Sequence, residues 1–204
     1  PISLFNYKYI TNILITQNII NDNNLIIYNS YKKIKNNIIN KKTKICYECN
    51  QSNIKDIITN IDNIGNQIIM IKICSYKINN FNIKYGNALK KLANNHNFFI
   101  LNDIGIYNTN HINLEDYEWC DIITTYNQNL KTKIDLVYIN DTNENINTNI
   151  LGSIGYITPG PYLNISNTIK NIDDLKKIIN IKYDIVVIDN ILSDEKIIKY
   201  INSN

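Results

Sequence analysis

The sequence predicts an α/β fold built on a parallel sheet or a barrel of strands. Two observations carry that expectation. From about residue 30 onward, short apolar runs alternate with stretches of helical periodicity, the pattern of strand–helix–strand units. The runs Ile68–Ile71 and Asp184–Ile188 also lack polar alternation, as strands covered on both faces do.

Taken in order, strands are expected at Lys44–Cys49, Ile68–Cys74, Asn97–Asp103, Cys120–Thr125, Ile134–Ile139, Ile150–Ile157 and Asp184–Asp189. Between the first two, Ile54, Ile57, Ile58, Ile61 and Ile64 recur at helical spacing, and Gly65 is expected to end that helix. Ala88, Leu89, Leu92 and Ala93 mark the face of the next helix. Asp173 or Asp174 is suited to cap a helix carrying Leu175, Ile178 and Ile179, and Ser193 one carrying Ile197, Ile198 and Ile201. Two connections are too poor for crossover helices: 126–133 is short and polar, and 141–149 is nearly all Asn, Asp, Glu and Thr. The pattern is therefore eroded in its second half. Residues 1–29 read as an N-terminal arm or helix packed on the body, and 30–204 as the main domain.

A length of 204 residues with 44% hydrophobic and 19% charged side chains suits one sizeable domain. Ile, Asn, Lys and Tyr recur throughout, while glycine (6) and proline (3) are scarce. Those abundant residues have AT-rich codons, so an AT-biased genome is inferred, and Asn-rich loops lose their usual meaning. A net charge of +3 is small for a nucleic-acid binder. The basic cluster Lys32, Lys33, Lys35, Lys41, Lys42 and Lys44 is interrupted by Asn and Ile, and is expected to be a solvated helix face. No apolar run approaches the ~20 residues that cross a bilayer. The opening Pro1-Ile2-Ser3 has no signal-peptide character, so an intracellular protein is expected, cytoplasmic or within an assembled particle and not secreted.

Cys46-x-x-Cys49 invites a zinc or redox reading. In a strand, however, positions three apart point to opposite faces, so the thiols should diverge. Cysteines 46, 49, 74 and 120 are accordingly expected to be reduced and structural.

Four colinear segments, covering roughly residues 30–204, resemble the fungal and animal branch of orotidine 5'-phosphate decarboxylase, and one of them, Asn80–Thr125, holds two motifs. Ala88–Asp103 (ALKKLANNHNFFILND) is similar to that family's "LKxLAxKHNFLIFED", and Glu118–Ile123 (EWCDII) to its "EWADIVNAH". Ile69–Ile78 resembles "CVLKTHVDI", Ile157–Gly160 resembles "LTPG", and Tyr183–Ile188 resembles the last strand, "SDIIIVGRG". The resemblance implies a (β/α)8 TIM-type barrel. Only about a strand's worth of apolar sequence stands where the family has a full unit before its "TPG" loop, so the barrel is expected to be degenerate or incomplete.

The family decarboxylates without a cofactor, using an alternating Lys–Asp–Lys–Asp network from "LKTHxD" and "DxKxxD". Such fixed electrostatics act only when complete. The resemblance places the first lysine at Lys72 and the first aspartate of the second motif at Asp103. The proton-donating lysine corresponds to Gly105 and the next aspartate to Asn108. The aspartate of "LKTHxD" falls on Lys77 or Tyr76. Of the binding positions, the ribose-gripping aspartate corresponds to Asn50, the glutamine after "TPG" to Pro161 or Tyr162, and the phosphate-clamping arginine to Asn190 or a deletion. Asparagine cannot supply arginine's charged bidentate grip.

Other residues stand beside these relics as candidates. Lys72 and Asp103 are expected to pair as a structural salt bridge. His96 reads as a surface position at a helix end, His111 as a loop residue, Trp119 as core and Cys74 as a small buried filler. Glu48, Lys72, Asp103, Asn140, Asp141 and Asp189 would line the mouth, where acidic groups could hold a divalent cation in a repurposed enzyme. The expectation is instead a pseudoenzyme with no cofactor and no metal site, exapted for a structural role in a virion or other large complex. Protein partners follow from that, with a homodimer as in the family, and neither membrane nor nucleic acid. The alternatives are a regulator with a weakened UMP-type pocket and a divergent decarboxylase of pyrimidine biosynthesis.

Overall fold

A computed structural model describes residues 22–106, 114–125, 135–138, 168–170, 173, 184–189 and 201. Helix α1 (Asp22–Lys41) leads into strand β1 (Ile45–Cys49). Helix α2 (Ile54–Ile64) connects β1 to β2 (Met70–Ile73), and α3 (Ile83–His96) connects β2 to β3 (Phe99–Ile106). Strands β4 (Ile122–Thr125), β5 (Asp135–Tyr138) and β6 (Val186–Asp189) follow. Six expected strands are present, each trimmed or extended by a few residues. The expected strand 150–157 lies outside the described residues.

All pairings are parallel, and the order across the sheet is β5-β4-β3-β2-β1-β6. Strands β1 to β5 thus lie in chain order, and the last strand sits beside the first. On its other side β6 is bridged to Ile169, whose N–H donates to Val187 O at 2.8 Å.

Alternation along each strand divides the core in two. Tyr47, Ile71, Ile100, Ile123 and Ile188 face Ile57 and Ile61 of α2 and Leu89 and Ala93 of α3. Cys46, Met70, Leu101, Ile122 and Val187 face the other way, against Ile34 of α1. Burial on both faces explains the unbroken apolar runs. Ile201 is helical and 4% exposed, in keeping with its expected place on a helix face, and Asp173 is also helical. The other positions of those two late helices lie outside the described residues.

Asparagines shape the helix ends. Asn53 and Asn82 accept from the N–H groups of Lys55 and Lys84, each at 3.0 Å, and so cap α2 and α3. Asn97 ends α3 in the left-handed region at φ 55°, a conformation asparagine tolerates better than most residues.

Two expectations, for His96 and for the lysine cluster, need correcting, whereas Gly65 ends α2 as expected: it is the C-cap, with a right-handed φ of −53°, and begins a 3-10 turn (Gly65–Gln67). Its requirement is space: a Cβ there would lie 2.6 Å from the His96 ring. His96 is tucked in and not on the surface, with Nε2 2.8 Å from Asp62, Nδ1 3.2 Å from Asn66 and its ring stacked on Phe98. The lysine cluster is not one solvated face. Lys32 and Lys33 are exposed, but Lys35 pairs with Asp184, and Lys41 donates to the carbonyls of Gly65, Ile68 and His96 at 2.6–2.8 Å.

Candidate charged cavity at the carboxyl ends of the strands

In parallel α/β sheets, ligands bind beyond the carboxyl ends of the strands. Glu48 and Lys72 are partners in register near the ends of β1 and β2, and Asp103 lies on β3 two residues beyond Leu101, the partner of Lys72. The Lys72 ammonium is 2.8 Å from Glu48 Oε1 and 3.2 Å from Asp103 Oδ2. Thr124 of β4, fully buried, donates its hydroxyl to Asp103 Oδ1 at 2.9 Å. A continuous polar row therefore crosses four adjacent strands.

Lys72 is 12% exposed, Glu48 16% and Asp103 26%, so the charges interact with little water between them. Burial works to lower the Lys72 pKa. The hydrogen bond to Glu48 and the charges of Asp103 and Glu48 outweigh it, holding the ammonium above the ordinary lysine value. Such a group keeps its proton at neutral pH and is a poor acid.

Glu48, Lys72 and Asp103 of that row line a cavity of about 350 Å³. Gln51, Ser52, Cys74, Tyr76 and Lys77 also contribute to its walls and rim. Tyr76 and Lys77 belong to a 3-10 turn (Ser75–Lys77), with the Lys77 ammonium 5.8 Å from the Tyr76 ring centre. That turn is anchored from below: Asn102 Oδ1 accepts from the Ser75 N–H at 3.1 Å.

Of the positions singled out in the sequence, Lys72, Asp103 and Glu48 come together, and the Lys72–Asp103 salt bridge is present. Asn50 lines the same cavity and is exposed. Gly105 lies on β3. Asp189 pairs in register with Glu48. Asn108, His111, Asn140, Asp141, Pro161, Tyr162 and Asn190 lie outside the described residues. Cys74 corrects an expectation, because it is only half-buried and opens onto the cavity. Trp119 is core at 3% exposure, packed on Gly86 and tilted against Phe81. Glu48 as a partner of Lys72, and Thr124 as a donor, escaped the sequence reading. The signal for Glu48 was its lone charge in an otherwise uncharged strand.

Cys46 and Cys49 are both buried, in the two different cores on opposite faces of the sheet. They cannot grip one metal ion together. In the cavity, the Lys72 ammonium fills the space between Glu48 and Asp103 that a cation would need. Among the described residues, no three His, Cys, Asp or Glu side chains are grouped to hold a metal, and no helix is long and apolar enough to cross a membrane.

Fold and site together define an α/β protein with a parallel sheet and a charged cavity at its carboxyl edge. No protein-family model matches the chain, and no curated protein matches it.

Proposed function

We propose that this chain is a catalytically inactive protein resembling orotidine 5'-phosphate decarboxylase, kept as a structural component of a larger assembly. The strand order supports a TIM-type barrel origin. In a (β/α)8 barrel, strands follow chain order and the last closes on the first, and β1 to β5 with β6 beside β1 follow that rule. The reduced sequence between β5 and β6 supports a degenerate barrel with an eroded second half.

The observation that carries the loss of chemistry is the engagement of Lys72. Its ammonium is held by Glu48 and Asp103, and the resemblance puts the family's proton donor at Gly105, which has no side chain to carry one. A network short of its second ammonium lacks the charge balance that transition-state stabilisation requires. The two-faced apolar core, retained beside those losses, supports selection for a fold or an interface. A homodimer, as in the family, belongs to this proposal.

The test has two arms. Purified chain given orotidine 5'-monophosphate should release no carbon dioxide above the uncatalysed rate, and the native protein should run at fixed stoichiometry within a complex. Turnover abolished by Lys72→Ala would overturn the first arm, and an isolated native monomer the second. The cavity itself favours a second reading, a regulator that binds a nucleotide weakly. A thermal shift with millimolar UMP supports it, and the lack of one removes it.

A further inference from the structure

Two of the three large hydrophobic side chains that stand exposed among the described residues share one short segment. Tyr76 is 68% exposed and Ile83 49%. The chain between them folds in two tight turns, with the Ile78 N–H donating to Ser75 O and the Phe81 N–H to Ile78 O, each at 3.3 Å. Ile78, buried in the core, and Phe81, packed against it, anchor the segment. Positive charge accompanies the exposed pair, because Lys77 follows Tyr76, Lys84 follows Ile83, and both lysines are exposed.

An acidic segment lies beside this basic and apolar one. Trp119 sits close against Gly86 in the first turn of α3, and its ring centre is 5.1 Å from that of Phe81. The 3-10 turn Leu114–Tyr117, which leads into Trp119, therefore reaches the same flank of the molecule. Asp116 and Glu118 stand exposed there. Burying an exposed tyrosine and isoleucine is favourable. Opposite charges on the two sides of one patch make it complementary to itself under a two-fold rotation.

We propose that this patch is an isologous interface with a second copy of the chain. Lys77 and Lys84 of one copy face Asp116 and Glu118 of the other, with Tyr76 and Ile83 closed off between them. The inference rests on the homodimer of the proposed function and gives that dimer its surface.

The test pairs two charge-reversed chains in sedimentation velocity. One carries Lys77→Glu and Lys84→Glu, the other Asp116→Lys and Glu118→Lys, all at exposed positions. The wild type should sediment as a dimer. Each reversed chain alone sets like charges against each other and should dimerise at least about tenfold more weakly. An equimolar mixture should restore a mixed dimer, because each acid-rich patch then meets a lysine-rich one. Dimers that persist in both reversed chains would overturn this surface and leave the homodimer standing, whereas a monomeric wild type would overturn both. Reversed chains that stay apart when mixed would also refute the interface.

Discussion

Lys72 is the side chain on which the polar row depends, because both neighbouring carboxylates spend a hydrogen bond on it. Lys72→Met would leave Glu48 and Asp103 facing each other without a cation. Breaking a fully buried pair costs about 3–5 kcal/mol, and partial exposure reduces that here to about 2–3 kcal/mol, measurable by urea denaturation. The pH dependence follows in sign. The folded pKa lies above the ordinary 10.5, so the stabilisation is complete below pH 10.5 and is lost as pH climbs through the folded value. The gap between wild type and variant should hold steady through neutral pH and close only in strong alkali. A gap that closed near pH 8 would contradict the ion pairing. The thiols give a second prediction. Burial pushes Cys120 up to about 12 and raises Cys46, Cys49 and Cys74 as well, but Cys74 alone is only half-buried and opens onto the cavity. A thiol reagent at pH 8 should therefore label one cysteine quickly in the native chain, Cys74, and all four only in denaturant. Rapid labelling of Cys120 without denaturant would refute this.

Among the elements, the helices are seated by close approaches that small residues permit. Gly86 is buried in α3, and a Cβ there would come within 2.5 Å of the Trp119 ring. Trp119 is itself core, with little room to retreat. Gly86→Ala should destabilise the fold by about 1–3 kcal/mol through overpacking, despite alanine's better helix propensity. A melting temperature equal to or above wild type would refute that seating. Strands were the most legible elements, because runs such as Ile68–Ile71 are apolar on both faces and need no periodicity to be noticed. Helices α2 and α3 were legible from the spacing of Ile54, Ile57, Ile61, Leu89 and Ala93. The asparagine caps were not. In a chain where asparagine stands almost everywhere, Asn53, Asn82 and Asn97 look no different from residues left by mutational drift. Lys41 was misread for a related reason. The carbonyls it bonds belong to Gly65, Ile68 and His96, and no local pattern announces partners so distant in sequence. Glu48 likewise acquired its meaning only when the register placed it opposite Lys72.

For the whole molecule, the sheet order sets where stability concentrates. Strand β1 is hydrogen-bonded by β2 on one side and β6 on the other, and its side chains enter both cores. Amide hydrogens of Ile45–Cys49 should consequently exchange most slowly, opening only with global unfolding. Exchange in Ile122–Thr125 slower than in β1 would show that the centre of stability lies elsewhere. The parallel α/β class was legible at this scale, and so was the polar mouth at the strand ends. The order of the strands was implied only by the family resemblance, since periodicity carries no information on which strand lies beside which.

The pairing of Ile45 with Val186 also bears on how the chain is made. During synthesis, β1 leaves the ribosome well before its second neighbour, which lies far along the chain. Until then one flank of β1 is an open row of amides and carbonyls bordered by isoleucine, a template for the matching strand of another nascent copy. Native pairing between such distant segments is slow to form. Yield should therefore depend on how crowded the newly made chains are, and entangled dimers that trade strand β6 are the expected by-product.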